Sequence, residues 1–167
     1  EISVNKRNGR GKESLNIEKI HSMVGFATEG ITGVSASHVE MNSGIQFFDG
    51  VSTADIQQIL IKSANDLISL ENPNYQYVAA RLLLFQLRKQ LFHRLWDHPK
   101  FVDHIKSLID KGLYDKDILV NYDESEIDRM GMWVDHERDY NFTYAGLRQV
   151  MDKYLVQDRS TGDIFET

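Results

Sequence analysis

Lys6 and Arg7 lie directly before Asn8-Gly9, and Lys19 follows Asn16-Ile17-Glu18. Two cations at the tip of a tight turn and a third in the first turn of a helix suit a polyphosphate. Ammonium and guanidinium groups make charge-assisted hydrogen bonds to its oxygens, and a helix start adds backbone N–H donors. The same residues also fit a solvated hairpin with ordinary surface charge, and spacing alone does not choose between the two. Other candidates carry less. His93, His98 and His104 match no zinc spacing and straddle Pro99, so no metal site is expected of them. Asp115-Lys116-Asp117 with Glu126 has the outline of a calcium loop, but Leu119 and Val120 occupy the places that need a ligand and a glycine. His136 stands among Asp135, Glu137 and Asp139 with no nucleophile beside it, which favours capping and salt bridging over acid–base chemistry.

The elements that must position these residues are legible. Ile2 to Lys6 and Lys12 to Asn16 alternate around Asn8-Gly9, the pattern of a tight hairpin. Asn16 is the expected N-cap of a helix whose apolar stripe is Ile17, Ile20, Met23, Val24 and Ala27, with Gly30 as its stop. A second helix is expected from near Ser35 or Ser37 toward Phe47, and Asp49-Gly50 marks a turn. Thr53 is the expected N-cap of a third helix, with Asp55 in its first turn and a stripe through Ile56, Ile59, Leu60, Ala64, Leu67 and Ile68. After Glu71-Asn72-Pro73-Asn74, a helix from Tyr75 to about Phe92 is apolar around most of its circumference and belongs at a domain centre; the Leu82 to Leu84 run is core. Arg88 and Lys89 in its last turns complement the helix dipole. His98-Pro99 is a boundary. Beyond it come short helices from Phe101 to Gly112, from near Tyr114 or Asp115, from Glu124 to Val134 and from Thr143 to Tyr154, then a small hairpin around Ser160-Thr161-Gly162-Asp163. The expected fold is mainly α (α+β): a β-hairpin with four helices over 1–93, then a small helical unit over 94–167 ending in a hairpin.

The chain has 167 residues, 41% hydrophobic and 26% charged, which is ordinary for a globular protein of one or two small domains. A formal net charge of -6 argues against a general nucleic-acid binder, which needs a basic field, yet leaves room for a local basic pocket. The absence of cysteine from these residues excludes disulfides, zinc ribbons and thiol chemistry within them. No apolar stretch is long enough to span a bilayer, and no signal peptide is visible, so no membrane partner and a cytoplasmic setting are expected. A first residue of Glu1 rather than Met fits a trimmed or processed start.

Lys6-Arg7-Asn8-Gly9, Asn16 with Lys19-Ile20, Thr53-Ala54-Asp55-Ile56 and the helix ending Arg88-Lys89 together resemble an ATP-cone. Tyr75-Gln76-Tyr77-Val78-Ala79-Ala80-Arg81-Leu82 narrows the resemblance to the class Ia ribonucleotide reductase large subunit of the phage and enterobacterial type. His136-Glu137-Arg138-Asp139, Phe142-Thr143-Tyr144, Lys153-Tyr154-Leu155-Val156 and Thr161-Gly162-Asp163-Ile164-Phe165-Glu166 resemble the stretch that precedes that family's catalytic barrel. The resemblance covers essentially the whole chain.

The resemblance implies an allosteric segment of a ribonucleoside-diphosphate reductase, an enzyme that supplies deoxyribonucleotides for DNA replication. ATP or dATP would be the effector, with Mg²⁺ accompanying the triphosphate. The partners would be the rest of the large subunit and the small radical-generating subunit. Without cysteines or barrel, the segment alone is expected to be inactive, with no catalytic residue of its own. Residue by residue, Lys6, Arg7 and Lys89 match cations that hold the phosphates. Glu13 and Asn16 match residues that read the adenine edge. Lys19 and Ile20 match the pocket floor. Thr53, Asp55 and Ile56 match the helix start near sugar and phosphates, and Phe85 matches an apolar wall. Two positions depart from the family pattern. Gln57 stands where dATP-inhibited members often carry His, and the loop Asn8 to Lys12 is one residue longer than the commonest pattern. The alternative function is a stand-alone nucleotide-binding regulatory or split-subunit interaction module. ATP-cone repressors are one such class, but they carry a zinc ribbon for which this chain has no cysteines.

Overall fold

Val4 and Val51 are two short β-favouring positions that find each other across most of a domain's length, and both are buried. The computed structural model describes residues 2–6, 11–44, 47–95 and 97–167. Strands β1 (Ser3–Asn5) and β2 (Lys12–Ser14) form the expected antiparallel hairpin; its Asn8-Gly9 turn and the lengthened loop lie in part outside the described residues. A third strand, β3 (Val51–Ser52), lies parallel to β1 with Val4 opposite Val51 and Asn5 opposite Ser52, giving the order β2-β1-β3. This strand is absent from the sequence reading, which has only a turn at Asp49-Gly50.

Four helices follow the hairpin as expected: α1 (Ile17–Thr28), α2 (Ala36–Gly44), α3 (Thr53–Asp66) and α4 (Tyr75–Phe92). Asn16 caps α1, and Gly30 stops the chain just beyond it at φ +71, a conformation that glycine reaches without strain. The cap of α3 is Ser52, not Thr53. Ser52 Oγ accepts from Asp55 N at 3.0 Å, and Ser52 N donates to Asp55 Oδ2 at 3.4 Å, a reciprocal capping box. Pairing with β1 holds Ser52 in extended geometry, so the helix starts at Thr53, one residue earlier than it would with Thr53 as the cap.

The chain divides into two compact units, 1–84 with 140–148 and 85–139 with 149–167. The first holds the sheet, α1 to α3 and most of α4. Its core is Val24, Ala27, Val39, Val51, Leu60, Ala64, Val78 and Leu82, each fully buried. Two of its buried polar side chains are paired: Ser63 Oγ donates to Val39 O at 2.7 Å, and Tyr75 Oη accepts from Ser35 N at 3.0 Å.

The second unit contains α5 (Phe101–Asp110), α6 (Ile118–Asn121) and α7 (Glu124–Gly131). Helix α6 is shorter than a start near Tyr114 implies: Asp117 N turns back onto Asp115 Oδ1 at 2.9 Å and delays it. Helix α7 stops at Gly131 rather than Val134, where Met132 N bonds back to Asp128 O and Arg129 O at 3.2 Å. A 3-10 helix, His136–Asn141, replaces what sequence periodicity leaves blank. Helix α8 (Tyr144–Lys153) and the hairpin β4 (Gln157–Asp158) with β5 (Asp163–Ile164) match expectation. The core of this unit is Val102, Ile105 and Ile127, with Phe101, Ile109, Tyr114 and Ile118 packed around it. Asp123 and Glu126 form the capping box of α7, and Asp128 Oδ1 accepts from Val102 N at 3.2 Å, tying α7 to the start of α5. Arg88 is 2% exposed, and its Nη2 lies 2.9 Å from Asp139 Oδ2. The rings of His98 and His136 stack at 3.5 Å, and burial pushes the His98 imidazole down to about 4. Glu166 fastens the terminal hairpin, accepting from Tyr114 Oη at 2.5 Å and Val156 N at 2.8 Å.

Helices α5 and α7 approach closely because one contact position is glycine. A Cβ on Gly131 would overlap Phe101 Cβ. Gly131→Ala is therefore expected to destabilise the chain by about 1–3 kcal/mol, the usual cost of overpacking. Urea denaturation followed by circular dichroism measures it, and an unchanged midpoint would contradict this packing.

Candidate functional site

The hairpin and the start of α1 carry five of the twelve residues expected to meet a nucleotide: Lys6, Glu13, Asn16, Lys19 and Ile20. Lys6 N donates to Gly11 O at 3.1 Å, and Gly11 adopts φ +101. Lys6 Nζ then reaches across the strand pair to Glu13 Oε2 at 3.0 Å. The Lys6 hydrogen bond, aided by the charges of Lys6 and Lys19, holds the Glu13 carboxyl below the usual carboxylate range. Asn16 Oδ1 accepts from Lys19 N at 3.0 Å, leaving the amide NH₂ as the donating end of that side chain. Lys19 is exposed, and Ile20 is buried beneath it in the first turns of α1.

The β1–β3 register sets the start of α3 beside this group. Asn5 pairs with Ser52, so Lys6 and Thr53 are the next residues along two parallel strands. Asp55 is committed to the Ser52 cap, accepting from Ser52 Oγ at 2.6 Å, and Ile56 is buried. Gln57 is 6% exposed and donates from Nε2 to Leu82 O at 2.9 Å, bonding α3 to α4. Phe85 and Lys89 lie on α4 within the second compact unit, Phe85 buried and Lys89 exposed. Arg7 lies outside the described residues.

Several supports of this site are invisible to sequence reading. Asp49 accepts from Ser3 N at 2.8 Å and Ser3 Oγ at 2.6 Å, Gly50 N donates to Ser3 O at 2.8 Å, and Asn5 Nδ2 donates to Gly50 O at 2.7 Å. These bonds anchor β1 from the side away from β2. Gln57 carried a usable signal: it shares a face with Ile61 and Ala64 at helical spacing, which places it inward. Among the described residues no group of three His, Cys, Asp or Glu is placed to hold a metal ion, and no helix is long and apolar enough to cross a membrane.

The family model of the ATP cone domain matches residues 2–90, more than half of the chain. The chain belongs to the ATP-cone family. The ATP-cone thus comprises the three-stranded sheet and α1 to α3, with α4 nearly to its end. Similarity to whole proteins runs further. The chain is 45% identical over 166 residues to ribonucleoside-diphosphate reductase 1 subunit alpha of Escherichia coli K12, covering 99% of this chain and 22% of that protein. Identity is also 45%, with the same coverage of each, to the reductase subunit alpha of Haemophilus influenzae, and 42% to that of Enterobacteria phage T4. The chain spans 22% of the length of these relatives, and the likeness includes the residues that follow the ATP-cone.

The Lys6–Glu13 contact has a direct spectroscopic consequence. In Lys6→Ala the Glu13 carboxyl loses its hydrogen-bonded cation and should titrate at higher pH, toward its ordinary value. Carbon-detected NMR titration of the Glu13 side chain checks the direction. A curve that does not move would show that the pair is not formed in solution.

Proposed function

We propose that the chain is the adenine-nucleotide-binding regulatory segment of a ribonucleoside-diphosphate reductase large subunit, with ATP or dATP as its effector. The observation that carries this reading is the clustering of Lys6, Glu13, Asn16 and Lys19 on the hairpin and the first turn of α1 within an ATP-cone. Lys6, Arg7 and Lys19 supply positive charge for a triphosphate, with Mg²⁺ accompanying it. The free NH₂ of Asn16 can donate to a ring nitrogen of adenine, while Glu13 accepts from the exocyclic amine. Guanine would turn a carbonyl toward that carboxylate, so adenine is favoured by repulsion of the alternative. Thr53, Asp55, Ile56, Phe85 and Lys89 enter through the resemblance alone, in which Lys89 matches a further phosphate-holding cation.

Titration calorimetry of the chain with ATP, dATP and GTP is the test. Saturable binding of both adenine nucleotides is expected, with GTP weaker. Lys6→Ala and Lys89→Ala should each weaken ATP by about 1.5–3 kcal/mol, the range for a hydrogen bond to a charged group. No heat at millimolar ATP, or affinity unchanged in the double variant, would sink the reading. Turnover of a ribonucleoside diphosphate by these residues alone should stay at background, since they include no cysteine for radical reduction.

We further infer that Gln57 weakens any inhibitory response to dATP. Its amide is neutral at every working pH and already bonds the α4 backbone, so it offers no charge that distinguishes one bound nucleotide from another. In a complete large subunit carrying residues 1–167, dATP should inhibit Gln57→His more strongly than the parent. Strong inhibition of the parent, with formation of a larger oligomer by mass photometry, would refute this.

A further inference from the structure

Positions 100, 103, 104, 107, 108 and 111 recur at helical spacing and share one face of α5. In the second unit that face is a wall of a cavity of about 530 Å³, lined also by the end of α4 and by Phe165. Three cations reach this space, Arg94, Lys100 and Lys111, against one carboxylate, Asp103. Counted over the lining residues alone that is an excess of +2, with Asp97 near Arg94 and Glu166 near His104 just outside the lining, in a chain whose formal net charge is -6. Elsewhere in the unit Arg88 faces Asp139 at 2.9 Å and Lys106 faces Glu124 at 2.5 Å. Lys100 and Lys111 form no ion pair among the described residues, and Arg94 comes only within 4.0 Å of Asp97.

Stability of the fold does not account for Lys100. It stands at the N-cap of α5 and makes no side-chain capping bond. A Ser, Thr, Asp or Asn there would satisfy a backbone donor, and the positive end of the helix disfavours a cation. Lys111 lies 5.3 Å over the Phe165 ring at the other end of the wall. The two lysines are about 16 Å apart along the helix, so their long side chains can converge on one anion above His104 and Ser107. Burial holds the His104 imidazole below its ordinary pKa, which keeps one ring nitrogen a donor and the other an acceptor at neutral pH. Leu91, Leu108 and Phe165 complete the lining with apolar surface.

We propose that this cavity binds a small aromatic phosphate ester, its phosphate held by Lys100, Lys111 and Arg94 and its ring against Leu108 and Phe165. A phosphate monoester carries about two negative charges at neutral pH and balances the local excess, which a single carboxylate does not. The site shares none of its lining with the hairpin site of the ATP-cone.

NMR titration of the 167-residue chain with phenyl phosphate tests it, with inorganic phosphate and phenol as the two halves of the probe. Saturable shifts are expected at the His104 ring and the Ser107 and Lys111 amides, with each half binding at least about tenfold more weakly than the ester. Lys111→Glu and Lys100→Asp should each weaken the ester by about tenfold or more. Lys100→Asp installs a capping residue, so its thermal midpoint should hold or rise, which separates lost binding from lost structure. Lys6→Ala should leave phenyl phosphate binding unchanged, so failure here and failure of nucleotide binding are read independently. The proposal is overturned if the ester gives no saturable shift, if both charge reversals bind it as the parent does, if either half binds as tightly as the ester, or if Lys6→Ala abolishes binding.

Discussion

Helix α4 has no side fit for water over most of its length, and that constraint organises the first unit. Val78, Ala79, Ala80, Leu82, Leu83 and Leu84 are all at most 4% exposed. Such a helix is stable only when other elements cover it. Hydrogen bonds then fix it at successive heights. Tyr75 Oη takes Ser35 N ahead of α2, Arg81 Nη1 donates to Glu29 O at the end of α1, and Leu82 O accepts the Gln57 amide from α3. Apolar burial sets that α4 is central, while the polar bonds set its rotation and depth, which non-directional burial leaves open.

Gln57 shows how those two kinds of force meet. A glutamine buried with its amide unsatisfied would cost more than the bond it makes in place contributes. Its partner is the second lone pair of a helix-interior carbonyl, so α4 keeps its own ladder and α3 is held without inserting a wedge. The position that family resemblance marks as ligand-facing is thus also a packing position, and the two demands fall on one side chain.

Legibility in the sequence follows the range of the interactions involved. Helices α1, α3, α4 and α8 are plain because stripes and caps lie within a few residues of each other. The β1–β2 hairpin is local too, and Lys6 and Lys19 are read from it and the helix it feeds, whereas Glu13 and Asn16 enter as adenine-reading residues only through the family resemblance. Strand β3 is only two residues long and owes its form to pairing with β1, so nothing in its own composition declares it. Sequence favours Thr53 over the true cap Ser52 for the same reason: two adjacent hydroxyl residues both suit a cap, and the distant partner strand decides. The braces Ser3–Asp49 and Asn5–Gly50 bridge nearly fifty positions and leave no periodic trace. In the second unit the 3-10 helix over 136–141 is a charged run without an apolar period, and its form comes instead from Arg88 reaching Asp139 and His136 O.

Ser52 belongs to two elements at once, as the last residue of β3 and the N-cap of α3. Ordinarily a strand and a helix are joined by a few residues whose torsions absorb small displacements. Here there is no such slack. A tug on β1 passes through the Asn5–Ser52 pairing into the first turn of α3 without a joint to dissipate it. The hairpin and that helix therefore behave as a single stiff lever, and a ligand seated on one has already taken hold of the other.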